Sequence, residues 1–176
     1  AFNPAGGMHH AHADRAAGFC IYNDPAVAIE CATREHAGLR VAYVDIDAHH
    51  GDGVEEAFRQ RSDVLTLSVH ETGRYAYPGT GHVRDIGEGE GRGFALNVPL
   101  PLYAGPESFR LVTERIIVPA LAAFRPDVVF LQAGADAHSA DPLVQLENTV
   151  EGFTDTVEGV VRAADELCDG RLVMTG

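Results

Sequence analysis

The 176 residues carry 13 basic and 26 acidic side chains, a formal net charge of −13, and 45% of them are apolar. That length and apolar share suit one folded domain with a buried core, while the acidic balance argues against a basic face for nucleic acid or an anionic membrane and suits a cationic substrate. Cys20, Cys31 and Cys168 form no Cys-x-x-Cys pair, so neither a disulfide framework nor a zinc knuckle is indicated; a reducing, cytoplasmic setting fits, and no apolar run reaches the roughly 20 residues of a membrane span.

Residues 1 to 19 begin irregularly around Pro4, Gly6 and Gly7 and then present His9, His10 and His12. Adjacent His9 and His10 after a glycine pair are candidates for proton transfer. Asn23 or Asp24 as cap, Pro25 in the first turn and Gly38 as stop bracket a helix over 25 to 37, in which Cys31 is expected to pack. A strand over 41 to 47, a short helix near 54 to 61 and a strand from Val64 through Val69, ending at His70 and Glu71, follow. Strands alternating with helices predict βαβ units and a parallel sheet whose ligand crevice lies at the strands' carboxyl ends. Residues 70 to 105 read as loop-rich, long enough to help wall a pocket, and their Gly87–Gly93 tract reads as a turn, lacking the Lys-Ser/Thr of a phosphate loop. A helix over 106 to 124 should bend at Pro119. Asp127–Ala133 reads as a buried strand, Val150–Cys168 as an amphipathic helix closed by Asp169-Gly170, and Arg171–Thr175 as a final strand.

The chemistry concentrates after the strand at 41 to 47. Alternation places Asp45, Asp47 and His49 on one face, with Gly51 and Gly53 turning the backbone behind them. The plain reading, a helix capped by Asp52 with Glu55 as its capping-box partner, requires one acid. Three acids and two histidines crowded into eight residues require a cation or a proton relay instead. Asp136, just past the strand at 127 to 133, is the natural third ligand beside Asp47 and His49. Three ligands leave positions open for water and substrate, so the site points to metal-assisted hydrolysis of an amide or related bond. His9 and His10 would move the proton, with Asp45 and Asp52 free to orient them.

Taken together, Gly6-Gly7-Met8-His9-His10-Ala11, Gly18-Phe19-Cys20, Asp45-Ile46-Asp47-Ala48-His49-His50-Gly51-Asp52-Gly53, Pro78-Gly79-Thr80-Gly81 and Gly134-Ala135-Asp136 resemble the histone deacetylase superfamily over essentially the whole chain. His70-Glu71-Thr72-Gly73-Arg74-Tyr75 and Gly134-Ala135-Asp136-Ala137-His138 resemble its bacterial acetoin utilization branch. The resemblance implies a three-layer αβα, arginase-like α/β fold with a mainly parallel sheet, truncated at both ends, forming one partial catalytic domain over residues 1 to 176. It implies zinc-dependent removal of acetyl groups from protein lysines, with acetyl-CoA synthetase as a suggested substrate. By position, Asp47, His49 and Asp136 hold zinc, His9 and His10 are the acid/base pair, Asp45 backs His9 and Asp52 backs His10. Phe19 and Tyr77 wall the acyl-lysine channel, with Gly18 and Gly134 beside them. Ferrous iron suits the same ligands. The resemblance further implies potassium around Asp45, Asp47, His49, Ser68 and Val69, and a second ion near Phe58 and Val64, where Phe94 replaces a frequent tyrosine.

The start without Met and the end at Gly176 lead us to expect a piece of a longer protein. In the superfamily a tyrosine after the last strand donates to the oxyanion; the 176-residue chain alone is expected to be slower by on the order of 10²- to 10³-fold for its lack. Three other readings compete: an acetylpolyamine amidohydrolase, a two-manganese ureohydrolase, disfavoured because Asp136-Ala137-His138 lacks a second carboxylate, and a non-catalytic acyl-lysine reader.

Overall fold

A computed structural model describes all residues from Ala1 to Gly176. Six parallel strands form one sheet in the order β1-β6-β5-β2-β3-β4. In chain order the elements are β1 (Phe2–Asn3), α1 (Asp24–Glu35), β2 (Val41–Asp45), α2 (Asp52–Phe58), β3 (Val64–Glu71), β4 (Ala95–Leu100), α3 (Pro106–Val112), α4 (Val118–Phe124), β5 (Val128–Gln132), α5 (Val150–Cys168) and β6 (Leu172–Thr175).

Helices cover both faces of the sheet, as a parallel sheet buried on two sides requires. On one face Ile29 of α1 and Val54 and Phe58 of α2 pack on Val41, Tyr43, Val64 and Phe130. On the other, Phe109, Leu121, Val160 and Ala164 from α3, α4 and α5 pack on Ala42, Val44, Leu65, Val129 and Leu131. The alternation of neighbours within β2, Val41 and Tyr43 against Ala42 and Val44, is the two-residue period of a strand read from both sides.

The chain runs outward from β2 through β3 to β4, then crosses back to lay β5 on β2's other edge. Strand order therefore reverses at β2, and a crevice opens beyond the carboxyl ends of β2 and β5. The segments leaving those two strands carry Asp47, His49 and Asp136.

Several expectations are corrected. The loop-rich stretch of residues 70 to 105 contains a strand that was not expected: Ala95–Leu100 forms the edge strand β4, where Pro99 is tolerated. The strand from 41 ends at Asp45 rather than 47. The helix predicted over 106 to 124 is divided by a π-helical turn at Thr113–Ile117, in which the Val118 N–H donates to the Thr113 carbonyl. That wider turn accommodates Pro119, which has no N–H to offer and whose ring crowds the preceding turn. Asp52 is not a cap; α2 begins at Asp52 after Gly51 with no side-chain cap. Asn23, in contrast, caps α1 by accepting from the Ala26 N–H at 2.9 Å. Cys31 does not pack but is exposed, while Cys20 and Cys168 are buried.

Candidate active site

Asp47 and His49 follow β2, and Asp136 follows β5. One donor atom from each lies within 4.8 Å of the other two, a grouping able to hold a metal ion. His49 Nδ1 is 2.7 Å from Asp136 Oδ2 and 3.2 Å from Asp47 Oδ1. The remaining oxygens are anchored: Asp136 Oδ1 accepts the Ala48 N–H at 2.7 Å, and Asp47 Oδ2 faces Gln132 Nε2 at 3.3 Å. Gln132 is itself fixed, since its Oε1 accepts the Gly134 N–H at 2.7 Å. Any Cβ at Gly134 would collide with Asp47 Oδ2, so only glycine lets β5's exit pass that close to the carboxylate.

The electrostatics of the trio fit a divalent cation. Hydrogen bonds to Asp136 and Asp47 outweigh burial and push His49 up to about 10, so a hydrogen on Nδ1 holds a position between the two carboxylates. Burial opposes ionisation of Asp47, but His9 and His49 hold it well below the usual carboxylate range. Burial and the charge of Asp47 push Asp136 up. Two carboxylates and an imidazole in this relation are a donor set able to hold a divalent metal ion.

Beside the trio stand two histidine–carboxylate pairs. His9 Nδ1 lies 2.7 Å from Asp45 Oδ2, and His10 Nδ1 lies 2.7 Å from Asp52 Oδ1. Ionised carboxylates only accept, so each ring directs its Nδ1 hydrogen backward and its Nε2 forward. The two Nε2 atoms lie 3.1 Å apart, close enough to share a hydrogen. Burial works against charge on His9, but Asp45 and Asp47 prevail and push it up to about 9. Asp52, opposed by burial, is lowered by its hydrogen bonds to and the charges of His10 and His12.

Asp45 is wholly buried and lies behind His9 rather than within the trio of potential metal ligands. Oδ2 also accepts from the Tyr43 hydroxyl at 2.8 Å, and Oδ1 from the Asp47 N–H at 3.1 Å. Asp45 pairs in register with Ser68, and Val69 follows on β3; both are buried away from the cavity.

A cavity of about 630 Å³ leads to these groups, lined by His9, His10, Asp47, His49 and Asp136 at its base. Gly18, Phe19 and Tyr77 stand in its walls. The Tyr77 ring meets His10 edge-on with centroids 5.0 Å apart. Gly18 and Phe19 both have positive φ, 51° and 66°, and the Phe19 side chain is thrown outward with 98% of the residue exposed. A non-glycine residue held there carries strain of about 1 to 3 kcal/mol, a pattern that clusters at functional sites. Gly134 packs against Asp47 without lining the cavity.

Sequence reasoning misses Met8, Gln132 and Leu143 as wall residues and Tyr43 as a partner of Asp45. Two of them carried a signal. Gln132 is a polar residue closing an apolar strand, and Tyr43 shares a strand face with Asp45 two positions on. Met8 and Leu143 carried none.

The histone deacetylase domain model matches residues 1–176. Over 176 residues the chain is 43% identical to acetoin utilization protein AcuC of Bacillus subtilis, covering all of this chain and 45% of that protein. Over 165 residues it is 42% identical to chloroplastic histone deacetylase 14 of Arabidopsis thaliana, covering 94% of this chain and 38% of that one. A crystal structure of an HDAC homolog complexed with SAHA superposes with a TM-score of 0.92 at 39% identity, covering 99% of this chain and 46% of that one. The chain therefore spans less than half the length of these relatives. The all-parallel sheet, its layered helices and the match over every residue lead to one assignment: the chain belongs to the histone deacetylase family.

Proposed function

We propose that the protein containing this chain hydrolyses the amide bond of N-acetyl-lysine in proteins and releases acetate, in the manner of an acetoin utilization-type deacetylase. The observation that carries this reading is the convergence, at the base of one cavity, of the Asp47–His49–Asp136 trio with the facing Nε2 atoms of His9 and His10. Zinc, or ferrous iron, held by the trio would supply Lewis-acid polarisation of the amide carbonyl and of the attacking water.

The chain's own residues supply the proton path. The His9–His10 pair accepts the proton of water and returns one to the departing lysine amine, each ring kept in one tautomer by Asp45 or Asp52. Phe19 and Tyr77 flank the aliphatic stem of the substrate lysine, and Gly18 and Gly134 leave room for the rings and carboxylate they touch. Potassium around Asp45, Asp47, His49, Ser68 and Val69 belongs to the same reading, as do a single partial catalytic domain over residues 1 to 176, a cytoplasmic location and an acetylated protein such as acetyl-CoA synthetase as substrate. No helix is long and apolar enough to cross a membrane.

The test is deacetylation of a fluorogenic acetyl-lysine peptide by the zinc-loaded full-length protein beside Asp136→Ala, with bound metal counted in both. The expected result is loss of both metal and turnover in the variant. A fully metallated wild type without activity on the peptide would refute the reading, and turnover of acetylated polyamines by that protein would replace it with a polyamine amidohydrolase.

A further inference from the structure

The Asp52 carboxylate carries two imidazoles, one on each oxygen. His10 Nδ1 sits on Oδ1 at 2.7 Å, and His12 Nε2 sits on Oδ2 at 3.1 Å. His12 lies two residues beyond His10 on the irregular segment before α1, and Asp52 opens α2, so the carboxylate joins both rings to the helix. The His12 side chain is only 4% exposed. Its Nδ1 is 2.8 Å from Glu56 Oε2, one turn along α2, at ion-pair distance without hydrogen-bond alignment. Asp52 and Glu56 are thus the charged groups facing His12, while Asp52, His9, Tyr77 and His49 surround His10.

A carboxylate with one oxygen engaged can rotate about a soft terminal torsion; with both engaged it cannot. Because an ionised carboxylate only accepts, the nitrogen of His12 facing it must bear the hydrogen. We propose that His12 is a positioning residue for the proton-transfer pair: its Nε2–H holds Asp52 by Oδ2, so that Oδ1 keeps the His10 hydrogen on Nδ1 and leaves His10 Nε2 directed at His9 and the cavity. The inference rests on the functional reading above for its kinetic consequence, but not for its structural one. A buried histidine that served packing alone would be replaceable by an apolar residue of similar size, and neither the hydrogen bonding of His10 nor turnover would register the change.

The experiment uses the full-length, zinc-loaded protein with His12→Leu, His12→Gln and His12→Asn. Gln places an N–H donor near the position of Nε2; Asn is too short to reach Oδ2. Long-range proton–nitrogen correlation spectra of the histidine rings read the His10 Nδ1–H directly, without substrate. The expected result is a displaced His10 Nδ1–H signal in Leu and Asn, restored in Gln. On the acetyl-lysine peptide, kcat is expected to fall by about 10- to 100-fold in Leu and Asn with KM within about twofold, and to recover in Gln, the scale seen when a partner behind a site residue is removed. Unmoved His10 signals and equal kcat across the folded variants would overturn the inference. If Leu fails to fold, the Gln and Asn variants alone decide by the same two readouts. A wild type that gives the His10 pattern yet no turnover on the peptide would refute the functional reading and leave the placement of His12 standing.

Discussion

Replacing Tyr43 with Phe tests the support beneath the proton-transfer pair. Asp45 is wholly buried and receives three donors, the His9 ring at 2.7 Å, the Tyr43 hydroxyl at 2.8 Å and the Asp47 N–H at 3.1 Å. The substitution removes one hydrogen bond to a charged acceptor, a contribution of about 1.5 to 3 kcal/mol. It leaves the ring's packing against Phe130 intact, with centroids 6.0 Å apart, and creates a void no larger than an oxygen atom. Two donors remain on Asp45, so the full cost of an orphaned charge does not arise. The expected loss is therefore about 2 kcal/mol. Urea unfolding of wild type and variant, with the difference taken from the midpoint shift at unchanged slope, measures it. A loss below about 0.5 kcal/mol, the range of an inert surface substitution, would refute the view that the Tyr43 hydroxyl is a supporting partner of buried Asp45.

Gly18→Ala should reduce kcat on an acetyl-lysine peptide by more than about tenfold, since a misplacement of about 1 Å near the chemistry costs up to a hundredfold. Gly18 has φ of 51°, and its added Cβ would collide with the His10 ring; retained turnover would show that the loop yields without moving His10. Glu55→Gln should produce a pH-dependent loss of stability. Burial opposes ionisation of Glu55, but its hydrogen bond to His50 and the His50 charge, aided by the Asn97 amide at 2.6 Å, lower it from the ordinary 4.5. A carboxyl lowered on folding stabilises above its unfolded value and loses that contribution as pH falls through the folded one. The gap between wild-type and variant urea midpoints should hence be full above pH 4.5 and close below it; a gap independent of pH would contradict the assignment.

Much of this architecture was legible because local signals agreed with one another. Val150–Cys168 was readable to the residue: its apolar spacing is unbroken, and Asp169 and Gly170 both take the left-handed backbone that ends a helix. Asp47, His49 and Asp136 were readable because acids and histidine sit just past two apolar strands. Ala95–Leu100 was not, since Asn97 and Pro99 interrupt it and glycines precede it; its place at the sheet edge, which excuses Pro99, is a tertiary fact. Asp52 was readable as a partner of His10, but its second imidazole, His12, was hidden by competing local logic. A short helix with Glu55 three residues on reads as a capping box, but two imidazoles from a segment some forty residues earlier claim the carboxylate, and His50 and Asn97 claim Glu55. The π-helical turn before Pro119 lay beyond the expectation of a simple bend.

The reversal of strand order at β2 also governs how the chain must assemble. β2 can pair with β3 across the short α2, but its other edge waits for β5, with β4, α3 and α4 intervening: Val41 faces Val64 on one side and Val128 on the other. Until β5 docks, Val41, Ala42, Tyr43 and Val44 present an uncovered, apolar backbone edge, the kind of template that recruits a strand from another molecule. Pairings between distant segments are slow to form, which lengthens that exposure. Recovery of this protein from denaturant should accordingly fall steeply with chain concentration, and a nascent chain is most in need of a chaperone in the interval between synthesis of β3 and synthesis of β5.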